Sequence, residues 1–133
     1  MRQITRDMVD IFGIKSIDFM GYKKEKGDDF DFHHLIVPRR NGGPDVPENG
    51  AVLCHNSSHP YLHVIENYDR ERFNYITNQM IKENRMHRLD YNLMQAMDRA
   101  MCVFEREWQG KTNSRGRVIV KPIYTRREYK QFF

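Results

Sequence analysis

Five of the six histidines in this 133-residue chain, His33, His34, His55, His59 and His63, are crowded into one quarter of its length. Imidazole is the commonest protein ligand for transition metals, and neutral imidazole is a good proton acceptor near pH 7. The local pattern is more telling than the crowding. FDFHHLIV, residues 30–37, reads as a strand, and PRRNGGPDVPENG, residues 38–50, as a loop rich in Gly, Pro and Asn. AVLC, residues 51–54, is a short apolar strand, and a helix is expected from Ser58, with Ser58 as N-cap and Pro60 in the first turn. Four residues apart on that helix, His59 and His63 share one face. Neighbours on a strand point to opposite faces, so only one of His33 and His34 can join the helical pair in a regular strand. One strand histidine and two helical ones make three nitrogen ligands and leave a position open for water or substrate. That arrangement suits a catalytic rather than a structural metal.

The rest of the chain supplies a frame for one domain. ITRDMVDIF, residues 4–12, predicts a helix ended by Gly13, and residues 14–22 alternate as a strand with Ile17 and Phe19 on one face. A charged turn, residues 23–29, follows. Beyond the histidines, a helix is expected from Asp69 to about Asn84, burying Phe73, Ile76, Met80 and Ile81. Another is expected from Leu89 to Trp108, with Leu89, Leu93, Ala96, Met97, Ala100, Met101, Phe104 and Trp108 as its core stripe. Gly110 ends it, and RVIVKPIYT, residues 117–125, reads as a closing strand with Pro122 at an edge. Cys54 and Cys102 are the only cysteines, too few for a disulfide framework and without a Cys-x-x-Cys pair, so histidine and carboxylate must do any metal binding. No apolar run is long enough to span a bilayer, and the first residues are broken by charge, so a soluble cytoplasmic protein with no membrane association is expected. Residues 111–133 carry seven cations against one acid, Glu128, which exceeds the whole chain's net charge of +4. Such a segment suits phosphate contact, with a solvated tail as the plainer reading.

His33-His34-Leu35-Ile36-x-Pro38, then Asn41-Gly42-Gly43, Glu48-Asn49, Leu53-Cys54 and His59-x-x-x-His63 together resemble the motif of the HNH, or ββα-metal, endonucleases. The resemblance is greatest to the double-histidine bacteriocin-DNase-like subgroup, and it covers about a quarter of the chain. It implies an α+β fold: a ββα-metal core within residues 30–66, an N-terminal helix and strand, a helical extension over 67–110 with two long C-terminal helices, and a basic tail over 111–133. It also implies a metal-dependent phosphodiester hydrolase acting on DNA, double-stranded by expectation, that leaves 5′-phosphate ends. By the same resemblance His34 is the general base, and His33, His59 and His63 hold one divalent ion, Zn, Ni, Mn or Mg. Asn49 ties the loop so that His34 stays oriented, and Asp31 is an accessory acid or a partner to a ligand. Arg39 and Arg40, with Arg115, Arg117, Lys121, Arg126 and Arg127 of the tail, would contact nucleic acid. A phage or mobile-element origin fits this family analogy. The chain lacks the structural-zinc cysteine pairs often found around the motif, so its long helices must hold the fold. His55 is expected at the surface or against substrate. Two other readings remain. One is a catalytically silent zinc module that binds nucleic acid or a protein partner, its site closed by Cys54 or His55. The other is an interaction protein built on the two long helices.

Overall fold

The computed structural model describes residues 1–125 and Arg127. These residues form an α+β fold of four α-helices and one small antiparallel sheet. Helix α1 spans Gln3–Phe12, and strands β1, Phe30–His34, and β2, Gly50–Cys54, make the sheet. Three helices follow: α2, Ser58–Tyr68; α3, Arg70–Met86; and α4, Tyr91–Trp108. Short 3₁₀ turns occupy Arg39–Asn41, Pro47–Asn49 and Pro122–Thr125. No helix among the described residues is long and apolar enough to cross a membrane.

The two strands pair in a register that places His33 opposite Ala51 and His34 opposite Gly50. Gly50 is required there: a Cβ would come within 2.1 Å of the Phe32 ring, which lies across this position. The His34 ring in turn meets the Phe32 ring edge-on at 5.0 Å between centroids. All five residues of β2 are buried, so this short strand is the centre of the molecule, with α1, α2 and α3 packed around it. Only Asp69 separates α2 from α3, and its carboxylate caps α3 by accepting from Arg72 N at 3.1 Å. Asp90 caps α4 in the same way through Leu93 N. The buried stripe of α4 runs through Met94, Met97, Met101 and Phe104, so Met94 joins the expected core, while Leu93, Ala96 and Ala100 stay half-buried.

Two expected strands are absent. Residues 14–22 form a buried loop that touches strand geometry only at an isolated bridge between Ile17 and Lys23. The cause is Asp18, whose fully buried carboxylate accepts from Met20 N and Tyr22 N at 2.9 Å each and curls the chain around itself. Gly21, at φ +87°, completes the reversal. The apolar side chains of Ile17 and Phe19 are still buried, so the alternation reported burial rather than extension. Residues 117–125 likewise make only one bridge, Thr112 to Val118, before the turn at Pro122–Thr125. Instead of pairing with a strand, this segment stacks Tyr124 on Tyr61 at 5.3 Å, and the Tyr124 carbonyl accepts from the Tyr22 hydroxyl. The first strand is also shorter than expected, ending at His34 because Asn49 captures the backbone at Ile36 and Val37.

Candidate metal centre and active site

The donor atoms of His33, His59 and His63 all lie within 4.8 Å of one another. His33 comes from β1, and the other two come from the first turns of α2, where the four-residue spacing places their rings side by side with centroids 5.0 Å apart and planes tilted by 43°. The His33 ring lies 5.4 Å from that of His59 and 5.6 Å from that of His63.

Three observations bear on whether these residues fit a metal ion. His33 Nε2 is buried and has no hydrogen-bond partner among the described residues, a costly state for a polar atom unless something binds it. Burial, with His59, His63 and His34 nearby, also depresses its pKa to about 3, so the ring is neutral and its lone pair free at neutral pH. The two helical histidines each turn Nδ1 to a carboxylate, His59 to Asp31 Oδ2 at 2.8 Å and His63 to Glu66 Oε1 at 3.2 Å. A proton held on Nδ1 leaves Nε2 as the donor, the arrangement of carboxylate–histidine–metal sites. Nitrogens bound at ~2.0–2.1 Å to one tetrahedral ion stand about 3.4 Å apart, so the cluster closes with ring movements on the order of 1 Å. The residues fit a divalent ion.

Asp31 therefore acts next to the ligands. It is two residues before His33 on the same face of β1, and its Oδ2 is shared between His59 and His55. His55 is exposed and its pKa is raised by that hydrogen bond, while burial lowers the pKa of His59. Neither Cys54 nor His55 joins the cluster. Cys54 is buried and directs its thiol to the Tyr22 carbonyl at 3.7 Å, and burial raises its pKa far above the ordinary thiol range. Without a fourth protein ligand among the described residues, the cluster opens onto a cleft of about 640 Å³.

That cleft is lined by both His33 and His34, by Arg39 and Arg40 of the loop, and by Arg2 and Arg70. Asn49 holds the loop beside it. Its Oδ1 accepts from Ile36 N at 3.1 Å and Val37 N at 2.8 Å, and its Nδ2 donates to Val37 O at 3.0 Å and Pro44 O at 3.1 Å. All of the amide's donors and both acceptor positions are used, which fixes the backbone that follows His34. Gly43 belongs to the same loop, where a Cβ would fall 1.9 Å from the Val37 carbonyl oxygen.

The expected cations divide into groups. Arg39 and Arg40 face the cleft, whereas Arg115, Arg117 and Lys121 are exposed but do not line it. Arg126 lies outside the described residues. Arg127 is turned inward rather than toward a ligand. It pairs with Asp98, lies 2.8 Å from Glu105 Oε1 and donates to the Tyr22 hydroxyl, because α4 presents two carboxylates to it. Four residues at or beside the centre had not been singled out: Arg2, Asp45, Glu66 and Arg70. Glu66 was within reach of sequence reasoning, because it sits three residues after His63 on the same helix.

A scan against protein-family models gave no match, and neither did searches of curated proteins and of solved structures.

Replacing Asp31 with Ala is expected to weaken divalent-metal affinity roughly 10- to 100-fold, with Glu66→Ala having a smaller effect because that pair is longer and more exposed. Calorimetric titration with Zn²⁺ measures this. Unchanged affinity in Asp31→Ala would show that His59 needs no carboxylate partner.

Proposed function

We propose that this protein is a metal-dependent endonuclease of the HNH, ββα-metal type, hydrolysing DNA phosphodiester bonds in the cleft between the Arg39–Arg40 loop and α3. The observation that carries the reading is the juxtaposition of a three-histidine cluster, in which His33 Nε2 has no partner among the described residues, and a further histidine, His34, on one open cleft. In this reading β1, β2 and α2 are the ββα core. A structural staple needs neither the open side nor His34, and the absence of a fourth protein ligand among the described residues favours catalysis over stapling.

His33, His59 and His63 would hold a divalent ion, which would supply positive charge for the phosphate and the departing 3′ oxygen. His34 takes the proton from an attacking water, a role that needs one ring nitrogen unprotonated and facing the cleft. Asn49 prevents the backbone after His34 from drifting, so the ring does not have to be ordered at the moment of reaction. Arg39 and Arg40 contact phosphates on either side of the scissile bond, giving affinity without sequence preference. Arg2 and Arg70, already paired with Asp45 and Glu66, add positive charge to the same cleft.

Incubation with supercoiled plasmid across Mg²⁺, Mn²⁺, Ni²⁺ and Zn²⁺ is expected to give nicked and linear DNA, and excess EDTA should abolish the reaction. If metal binds but no ion supports cleavage, the protein is a binding module and the nuclease reading fails.

A further inference from the structure

His34 Nε2 lies 2.8 Å from Asp45 Oδ1, and the other oxygen of Asp45 pairs with Arg2. These residues come from three separate places: the end of β1, the loop after Gly43, and the residue preceding α1. Asp45 belongs to neither the three-histidine cluster nor the carboxylates behind it. Its place is also fixed from behind, since the carbonyl of Pro44, its immediate neighbour, accepts from Asn49 Nδ2. Asn49 thus ties down two backbone segments at once, the one that follows His34 and the one that carries Asp45. The hydrogen bond with His34, and then the charge of Arg2, hold the Asp45 carboxyl below the usual carboxylate range, so it is an anion at neutral pH and accepts rather than donates.

We propose that Asp45 is the positioning residue of the active site: it holds the His34 ring with its proton on Nε2, leaving Nδ1 as the nitrogen that receives the proton from water. Arg2 keeps Asp45 from swinging away, and Asn49 sets the distance between the two partners. An imidazole free to choose its tautomer would present a protonated nitrogen to the water part of the time, and one free to rotate would also lose its aim. The consequence for rate rests on the nuclease reading above, whereas the tautomer and orientation of the ring do not.

The test uses the full chain loaded with Zn²⁺, labelled with ¹⁵N-histidine, the His34 signals being assigned by their loss in His34→Gln. Long-range ¹⁵N–¹H correlation is expected to show His34 as the Nε2–H tautomer, and Asp45→Ala should convert it to a mixture. In cleavage assays Asp45→Ala should lower kcat roughly 10- to 100-fold, with KM and Zn²⁺ affinity changed less than about two-fold. Asp45→Asn, whose amide oxygen still accepts from Nε2–H, should recover much of that loss. A His34 ring with the same tautomer in Asp45→Ala as in the unaltered protein would overturn the proposal. So would Asp45→Ala losing metal binding together with activity, because Asp45 would then support the whole site rather than aim one ring. If no DNA is cleaved under any condition, the ring spectra still decide whether Asp45 governs His34, so the two failures can be told apart.

Discussion

His34→Ala is expected to lose roughly 10²- to 10⁴-fold in kcat/KM for plasmid cleavage while still binding one divalent ion, a loss of about 3–5 kcal/mol in transition-state stabilisation. The size follows from what the side chain does and does not touch. His34 lines the cleft and pairs with Asp45, but it is not part of the three-histidine cluster, so its removal leaves the ligand set intact. Its ring also rests edge-on against Phe32, and truncation exposes part of that ring without opening the core behind it. Folding should therefore survive, with melting shifted by only a few degrees. His33→Ala, by contrast, is expected to lose metal affinity first and activity as a consequence. Measuring metal binding and cleavage on both variants separates the roles. If His34→Ala cleaves as well as the unaltered protein, a different group takes the proton and the assignment of the base is wrong.

The largest effect on stability is expected at a residue outside the cleft. Asp18 is fully buried, and its carboxylate accepts from Met20 N, Tyr22 N, Cys54 N and the Ser58 hydroxyl. It joins the loop before β1, the end of β2 and the first residue of α2, the helix that carries His59 and His63. Burial raises its pKa, and the donors around it pull in the other direction. Asp18→Ala leaves these donors facing a void, and each unsatisfied buried group costs ~1–3 kcal/mol before relaxation. Because Cys54 N also donates to Ser58 Oγ, not every donor is stranded. The expected destabilisation is about 3–5 kcal/mol, on the order of 10–20 °C in melting temperature for a domain of this size. Asp18→Asn, which keeps one acceptor oxygen, should cost less than half as much. Thermal unfolding followed by circular dichroism measures both. A melting point for Asp18→Ala within two or three degrees of the unaltered protein would mean that the loop reorganises around the missing carboxylate. The same variant should weaken metal binding, because α2 would lose the contact that fixes its first turn against β2.

The site was legible in the sequence wherever its geometry is set by local repeat. His59 and His63 needed only helical spacing, and Asp31 and His33 only the alternation of a strand. Each is a relation between residues close in the chain, which backbone geometry alone converts into distance. Helices α3 and α4 were readable for the same reason, the start of α3 at Asp69 included, whereas α4 begins two residues later than expected, at Tyr91 after its Asp90 cap. Residues 14–22 and 117–125 were not, because an alternating apolar pattern states which side chains are buried and does not supply the neighbouring strand that extension requires. In the first case a buried aspartate took the backbone donors that such a neighbour would have used. In the second, the chain met an aromatic surface formed by Tyr22 and Tyr61 and turned at Pro122.

By itself the sequence determined that three imidazoles could meet at the junction of a strand and a helix. Only the tertiary structure decided that Arg127 faces inward and that Arg2 and Asp45 converge on His34. The physical reason is range. Helix and strand periodicity fix neighbours within a few residues, whereas Arg2 and Asp45 are 43 positions apart and meet only because α1 packs against the sheet that carries His34.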